Sequence, residues 1–321
     1  MTVRNNLTST LRRLWRTDAP LTATGVLMLA ALAGLIVAMT LDQRTITGAP
    51  VWLKPGKFAI SIAIYCFTLA WIFTLLPGWP RMRRLVGWTA AIVFIVEVAI
   101  IAVQAGRGTT SHFNTATIFD GVLFSIMGVA IVTQTITSVA VAVALWRQPL
   151  SNRVLGRALR LGMIITIAGA SIGGLMTRPT AQQMAAVRES GNMPIAGAHT
   201  VGAPDGGRGL PITGWSRDHG DIRVAHFFGL HALQVLVVCG LLIGRARRPE
   251  SVRLGLVSVA AGGYVLLIVL LLWQALRSQA VLQPDTSTLV AAAVWFTLIA
   301  GAALFVARRG SPLDNTPNAR A

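Results

Sequence analysis

The hydrophobic and polar positions divide the chain into long apolar runs separated by short polar segments. Eight runs stand out, near 21–41, 57–76, 86–104, 119–145, 158–175, 224–243, 254–276 and 288–307. Runs of about 20 residues match the ~30 Å hydrocarbon core at ~1.5 Å of rise per helical residue. None alternates with a period of two, so each predicts a helix and not a barrel strand. In lipid every backbone N–H and C=O needs an internal partner, which a helix supplies within itself. The expected fold is therefore all-α, a polytopic membrane helix bundle of about eight transmembrane helices. Its expected organisation is a basic N-terminal segment 1–20, a transmembrane bundle 21–307 that includes a long loop at 176–223, and a tail at 308–321.

Composition agrees with this pattern. The 321 residues are 54% hydrophobic and 12% charged, with a mean hydropathy of +0.65, more apolar surface than a soluble domain can hide. A net charge of +17 would suggest nucleic acid in a soluble chain. Here its distribution reads as an orientation signal. Of the 28 Lys and Arg, 18 lie in the N-terminus, the 77–85 loop, the 146–160 region, the 245–253 loop and the C-terminal tail. Positive charge is retained inside, so both termini are expected in the cytoplasm of a bacterial inner membrane, with the bilayer and not nucleic acid as partner. The oligomeric state is not legible. Cys66 and Cys239 both sit inside apolar runs and form no C-x-x-C pattern, so no metal or redox motif of that kind is present. The basic start leads into an apolar run too long for a cleavable signal, and "LTSTLRRLWR" is expected to lie as a short helix at the membrane interface.

In this frame the polar chemistry is one-sided. All five histidines (His112, His199, His219, His226 and His231) fall on the extracytoplasmic side or in the outer half of a span. The 176–223 loop is Gly-rich but also carries Leu210, Ile212 and Trp215, and is expected to fold as an extracytoplasmic cap. Gly206, Gly207 and Gly209 would there permit positive φ or close backbone approach. Glu97 lies inside the third run, roughly 10 Å below its outer end. An acid at that depth either serves a water-filled path or is a neutral carboxyl bonded to a neighbouring helix. Asp120 opens the fourth run and has a simple alternative as a first-turn acid. Five residues separate His226 from His231, about 140° around one continuous helix, so the two are not placed to chelate a single ion as an i,i+4 pair does. The chain has only two lysines, Lys54 and Lys57, both in "WLKPGKF". Among so many arginines this suggests selection for an ammonium group, and Lys57 with Ser61 and Thr68 begins a polar stripe down the second run. Gly162, Thr166, Ala170 and Gly174 form a small-residue stripe on the fifth, expected to pack closely against another helix.

Three functional classes follow. The first is a His/Glu/Asp pocket holding a transition metal (Zn, Fe or Cu) or haem in a redox or hydrolytic role. Its metal ligands would be His112, Asp120, His226 and His231, with Glu97 and Lys57 as catalytic groups and a small-molecule or lipid substrate. The second is a proton-coupled small-solute transporter, for which Glu97 is the natural proton site, although no inverted repeat or pair of broken spans is visible. The third is a non-catalytic envelope accessory protein. The segments "KPGKFAIS", "QAGRGTTSHFN", "MTRPTAQQ" and "GAHTVGAPDGGRGLPITGWSRDHGDIRVAHFFGLHALQ" together resemble a family of bacterial multi-pass integral membrane proteins. That resemblance implies a multi-pass membrane protein and brings no activity, cofactor or catalytic residue with it.

Overall fold

A computed structural model describes residues 3–309. The expected tail at 308–321 thus lies outside the described residues beyond Arg309. The first half of the chain comprises helix α1 (Val3–Thr17), α2 (Ala19–Leu41), strands β1 (Thr45–Ile46) and β2 (Ala49–Pro50), α3 (Leu53–Phe73), α4 (Pro80–Gly106) and α5 (Ile118–Arg147). The second half holds α6 (Arg153–Met176), α7 (Ala181–Ser190), β3 (Thr200–Val201), β4 (Gly220–Asp221), α8 (Ile222–Leu230), α9 (Ala232–Gly244), α10 (Glu250–Leu276) and α11 (Thr286–Arg308). Seven helical segments are long and apolar enough to cross a membrane, and α8 with α9 makes an eighth if that bent pair is one span. The expected helical bundle is therefore observed, with the apolar runs predominantly helical.

Polar residues start the helices where the sequence changes character. The Asp18 carboxylate accepts the Leu21 N–H ahead of α2, Thr117 accepts the Asp120 N–H ahead of α5, Asn152 accepts the Leu155 N–H ahead of α6, and Asp285 accepts the Thr288 N–H ahead of α11. Each such cap satisfies an N–H that has no intrahelical acceptor. Helix α4 packs on α2, α3 and α5, whereas α6 packs on α8, α9 and α10, and α11 lies against α10. The largest core, including Leu21, Cys66, Phe73, Phe94, Leu145, Met163 and Leu233, ties the two groups together. Both cysteines are free, and Cys66 is fully buried as a small apolar residue.

The sixth apolar run departs from expectation. The sequence reads as one helix over 224–243, but the axis bends by 48° between α8 and α9 at His231. The cause is the packing of α6. At Gly169 an added Cβ would stand 2.3 Å from the Gly229 Cα, so the two backbones touch where neither residue has a side chain. Just past the bend, the Thr166 hydroxyl accepts the Leu233 N–H at 3.0 Å, satisfying a donor that the break would leave without an acceptor in a buried place. The 140° separation of His226 and His231, which assumes one straight helix, does not carry through the bend. The small-residue stripe is likewise corrected. Gly162 does meet Leu233 closely, but the tightest contact is at Gly169, and nothing lies within 4 Å of a Cβ placed on Gly174.

The segment between α6 and α8 is folded. Thr180 and Gln183 form a reciprocal capping box on α7, which ends at Gly191 with φ 71°. Strand β3 pairs antiparallel with β4. Backbone bonds fasten the segment to the α4–α5 loop and to the end of α6: Thr115 N–H to Pro194 O at 2.9 Å, Ala196 N–H to Phe113 O at 2.8 Å and Ala198 N–H to Met176 O at 2.9 Å. Of the three glycines expected to be special, Gly206 has φ 105° and a Cβ added at Gly209 would stand 3.1 Å from the Gly214 backbone, while Gly207 has neither feature.

Candidate functional site

The start of α3, the middle of α4 and the 107–117 loop converge on His112. Asn114 shapes the loop by donating to Thr109 Oγ1 and Thr110 O, both at 3.0 Å, and by accepting the Ala116 N–H at 3.1 Å. Phe113 has φ 62°, a left-handed conformation that a bulky residue adopts only when its surroundings compensate. Its ring lies edge-on between two imidazoles, 6.1 Å from His112 and 4.9 Å from His199. Phe58 closes the other side of His112 at 5.7 Å.

Within this aromatic enclosure Lys54 Nζ and His112 Nδ1 are at hydrogen-bond distance, 3.1 Å. With Lys54 in its ammonium form, which has no acceptor, this contact puts the lone pair on Nδ1 and the imidazole proton on Nε2. Nε2 faces Glu97 Oε1 at 3.6 Å. Glu97 is 1% exposed, and neither of its oxygens has a hydrogen-bond partner. A carboxyl group in that position is costly to keep unless it is neutral or has a proton within reach. Ser111 Oγ also approaches His112 Nδ1, at 3.2 Å. Burial holds the His112 pKa well below the ordinary imidazole value, and the charges on Lys54, His199 and His226 add to the effect. His112 is therefore neutral near pH 7 and able to pass a proton from one ring nitrogen to the other.

A second imidazole–carboxylate pair lies beside the first. His199 Nδ1 is 2.8 Å from Asp205 Oδ2, and the Asp205 carboxylate also accepts the backbone N–H groups of His199 and Thr200. Burial raises the Asp205 pKa, but the hydrogen bonds and charge of His199 and the backbone donors outweigh it and leave the group below the usual carboxylate range. His199 is itself lowered by burial, with the bond to Asp205 acting against that shift. Beyond this pair, buried Asp221 receives Arg223 through two nitrogens, at 2.9 and 2.6 Å. Arg223 reaches Gly214 O at 2.7 Å and Lys57 reaches Thr213 O at 2.8 Å, so these two cations fasten the 208–216 segment to α8 and α3.

The residues singled out in the sequence fall into distinct groups. Glu97 and His112 meet, and His226 lies within electrostatic reach of His112 while its Nδ1 contacts Gly169 O at 2.8 Å. Lys57 is bound to a loop carbonyl. Asp120 follows its simple alternative: it receives Gln104 at 2.8 Å, Arg107 at 2.5 Å and the Thr117 hydroxyl at 2.7 Å in the first turn of α5. His231 packs its ring against Phe227 at 4.4 Å, and no hydrogen bond or ion pair joins it to Glu97. Among the described residues, no three His, Cys, Asp or Glu side chains stand close enough to hold a metal ion. The set His112, Asp120, His226 and His231 is thus not gathered into one coordination site. Sequence reasoning noticed Lys54 only as the neighbour of Lys57, and it missed the His199–Asp205 pair and Phe113. The adjacency of His112 and Phe113 in "SHFN" was the available signal.

The arrangement can relay a proton among Lys54, His112 and Glu97 in a place shielded from bulk water. No protein-family profile matches the chain, and neither the curated proteins nor the solved structures provide a match.

Proposed function

We propose that this is an inner-membrane protein with both termini in the cytoplasm, whose folded 177–221 segment covers the extracytoplasmic end of the bundle. Beneath that cover, Lys54, His112 and Glu97 form a proton-transfer site serving the coupled movement of a small solute. The distribution of Lys and Arg supports the orientation. One observation carries the functional reading: a fully buried carboxyl without a hydrogen-bond partner faces Nε2 of an imidazole whose other nitrogen contacts the Lys54 amine. Proton relays in membranes use such intramembrane acids paired with imidazoles. The bend at His231 adds weight, since discontinuous spans are a recurring element of solute pathways. The metal or haem alternative has less support, because its expected ligands are dispersed.

The test is a screen in proteoliposomes loaded with a pH-sensitive dye. Adding pools of amino acids, sugars and organic acids to the protein is expected to reveal one class that shifts the internal pH. Glu97→Gln should abolish that shift, because an amide cannot exchange a proton with His112. A Glu97→Gln protein that moves protons with the solute as well as the parent does would refute the reading.

A further inference from the structure

The outer flanks of α4 and α5 enclose a groove of about 720 Å³, in the size range of ligand sites. Its walls include Ile92, Val96, Ile118, Val122, Ile126 and Val129, and it opens sideways from two helices that are long and apolar enough to cross the membrane. Its lining is almost wholly apolar. The Ser125 hydroxyl is already engaged with Gly121 O at 2.8 Å, and Thr115 marks one end. Gly121 is part of the lining, and a Cβ placed there would meet nothing within 4 Å, so the missing side chain leaves open room. From Ile118 to Ala130 the groove follows α5 for roughly 18 Å at ~1.5 Å per residue, the length of a single lipid chain.

The same end carries a cation. Arg107, the residue that ends α4, reaches Asp120 and Phe119 in the first turn of α5, beside Ile118 of the groove lining. Its guanidinium lies over the Phe119 ring at 4.8 Å. Nη1 is held by Asp120 and Gln104, whereas Nε and Nη2 make no hydrogen bond among the described residues. The side chain is 40% exposed. Two free donors in a fixed fork are suited to a phosphate.

We infer that the α4–α5 groove binds a phospholipid, with one acyl chain along Ile92–Val129 and the phosphate on Arg107. This site is separate from the Lys54–His112–Glu97 relay and stands whether or not that relay couples to transport.

The experiment uses the full chain, delipidated in mild detergent and titrated with phosphatidylglycerol while bound lipid is counted by native mass spectrometry. One saturable lipid per chain is expected. Gly121→Trp, which fills the groove from an open position, should remove it, whereas Gly301→Trp, at an equally open position on α11, should not. Arg107→Gln should weaken phosphatidylglycerol binding about tenfold, the loss of a charge-assisted contact. A phospholipid with a photoreactive group at mid-chain should crosslink to residues between 118 and 130. Binding that never saturates, or that is the same in Gly121→Trp and the parent, would overturn the inference and leave only the general lipid coat. Saturable binding of free fatty acid that is indifferent to Arg107→Gln would overturn the headgroup assignment.

Discussion

Lys54 Nζ and His112 Nδ1 are 3.1 Å apart, joining the first turn of α3 to the loop between α4 and α5. With Lys54 protonated, this contact favours the imidazole proton on Nε2, the nitrogen that Glu97 faces. Substituting Lys54→Met removes the donor and frees Nδ1 to take the proton. The expected outcome is a shift of His112 towards the Nδ1–H tautomer, read from the ¹⁵N shifts of labelled histidine. An unchanged tautomer would place its control elsewhere, with Ser111 the nearest alternative.

The contact between α6 and α8 predicts a sharp difference between glycines. Gly169→Ala would drive a methyl to 2.3 Å from Gly229 Cα and should destabilise the protein by about 1–3 kcal/mol or more. Gly262→Ala meets nothing within 4 Å and should be neutral or stabilising by up to about 1 kcal/mol. Thermal unfolding in detergent distinguishes them, and equal midpoints would contradict the packing described.

Thr166 offers a second test of the bend. Thr166→Val keeps the shape but removes the acceptor for the Leu233 N–H, stranding a buried donor at a cost of about 1–3 kcal/mol. Thr166→Ser retains the hydroxyl and should recover most of that loss. If valine is tolerated as well as serine, the freed N–H has another acceptor.

Apolar runs of about 20 residues, together with caps such as Asp18, Thr117 and Asp285, are local signals, and the helices follow them. The bend at His231 has no local signal, since no proline interrupts the run. It arises because Gly169 lies against Gly229, sixty residues later in the chain, and such a meeting is not readable along one helix. Asp120 satisfied a local expectation as a first-turn acid. Glu97 was recognisable because an acid inside an apolar run needs a reason. His112 was named for the same pocket, but its direct pairing with Glu97 was not readable, because His112 is delivered by a loop whose shape depends on Asn114 and on the left-handed Phe113.

The loop makes its own prediction. Asp205 holds the His199 ring and the two backbone N–H groups at 199 and 200. Asp205→Asn leaves it with one carbonyl oxygen for three donors, so the 199–216 segment should open. Limited proteolysis between 203 and 217 is the measurement, with faster cleavage expected than in the parent. Equal cleavage would mean that the Lys57 and Arg223 contacts suffice to hold the segment.

The acid side of the stability curve should reflect the histidines. Burial keeps both His112 and His199 below the ordinary imidazole value in the folded protein. When the chain unfolds, each protonates near pH ~6.5. Below that pH the unfolded state therefore binds more protons, so stability falls as pH falls and is fully present above it. His112→Gln should make the decline shallower in melting curves taken between about pH 8 and pH 5. A parent curve that is flat over this range would contradict the buried, neutral state assigned to these rings.

Exchange of a proton between Glu97 and His112 is the claim on which the functional account turns. It is tested most directly by pH-titrated infrared spectroscopy of the reconstituted protein, with Glu97→Gln used to identify the carboxyl C=O band. The account predicts that this band titrates together with the imidazole signal, and that His112→Gln moves its midpoint. A Glu97 band that titrates identically with and without His112 would show that the two groups share no proton.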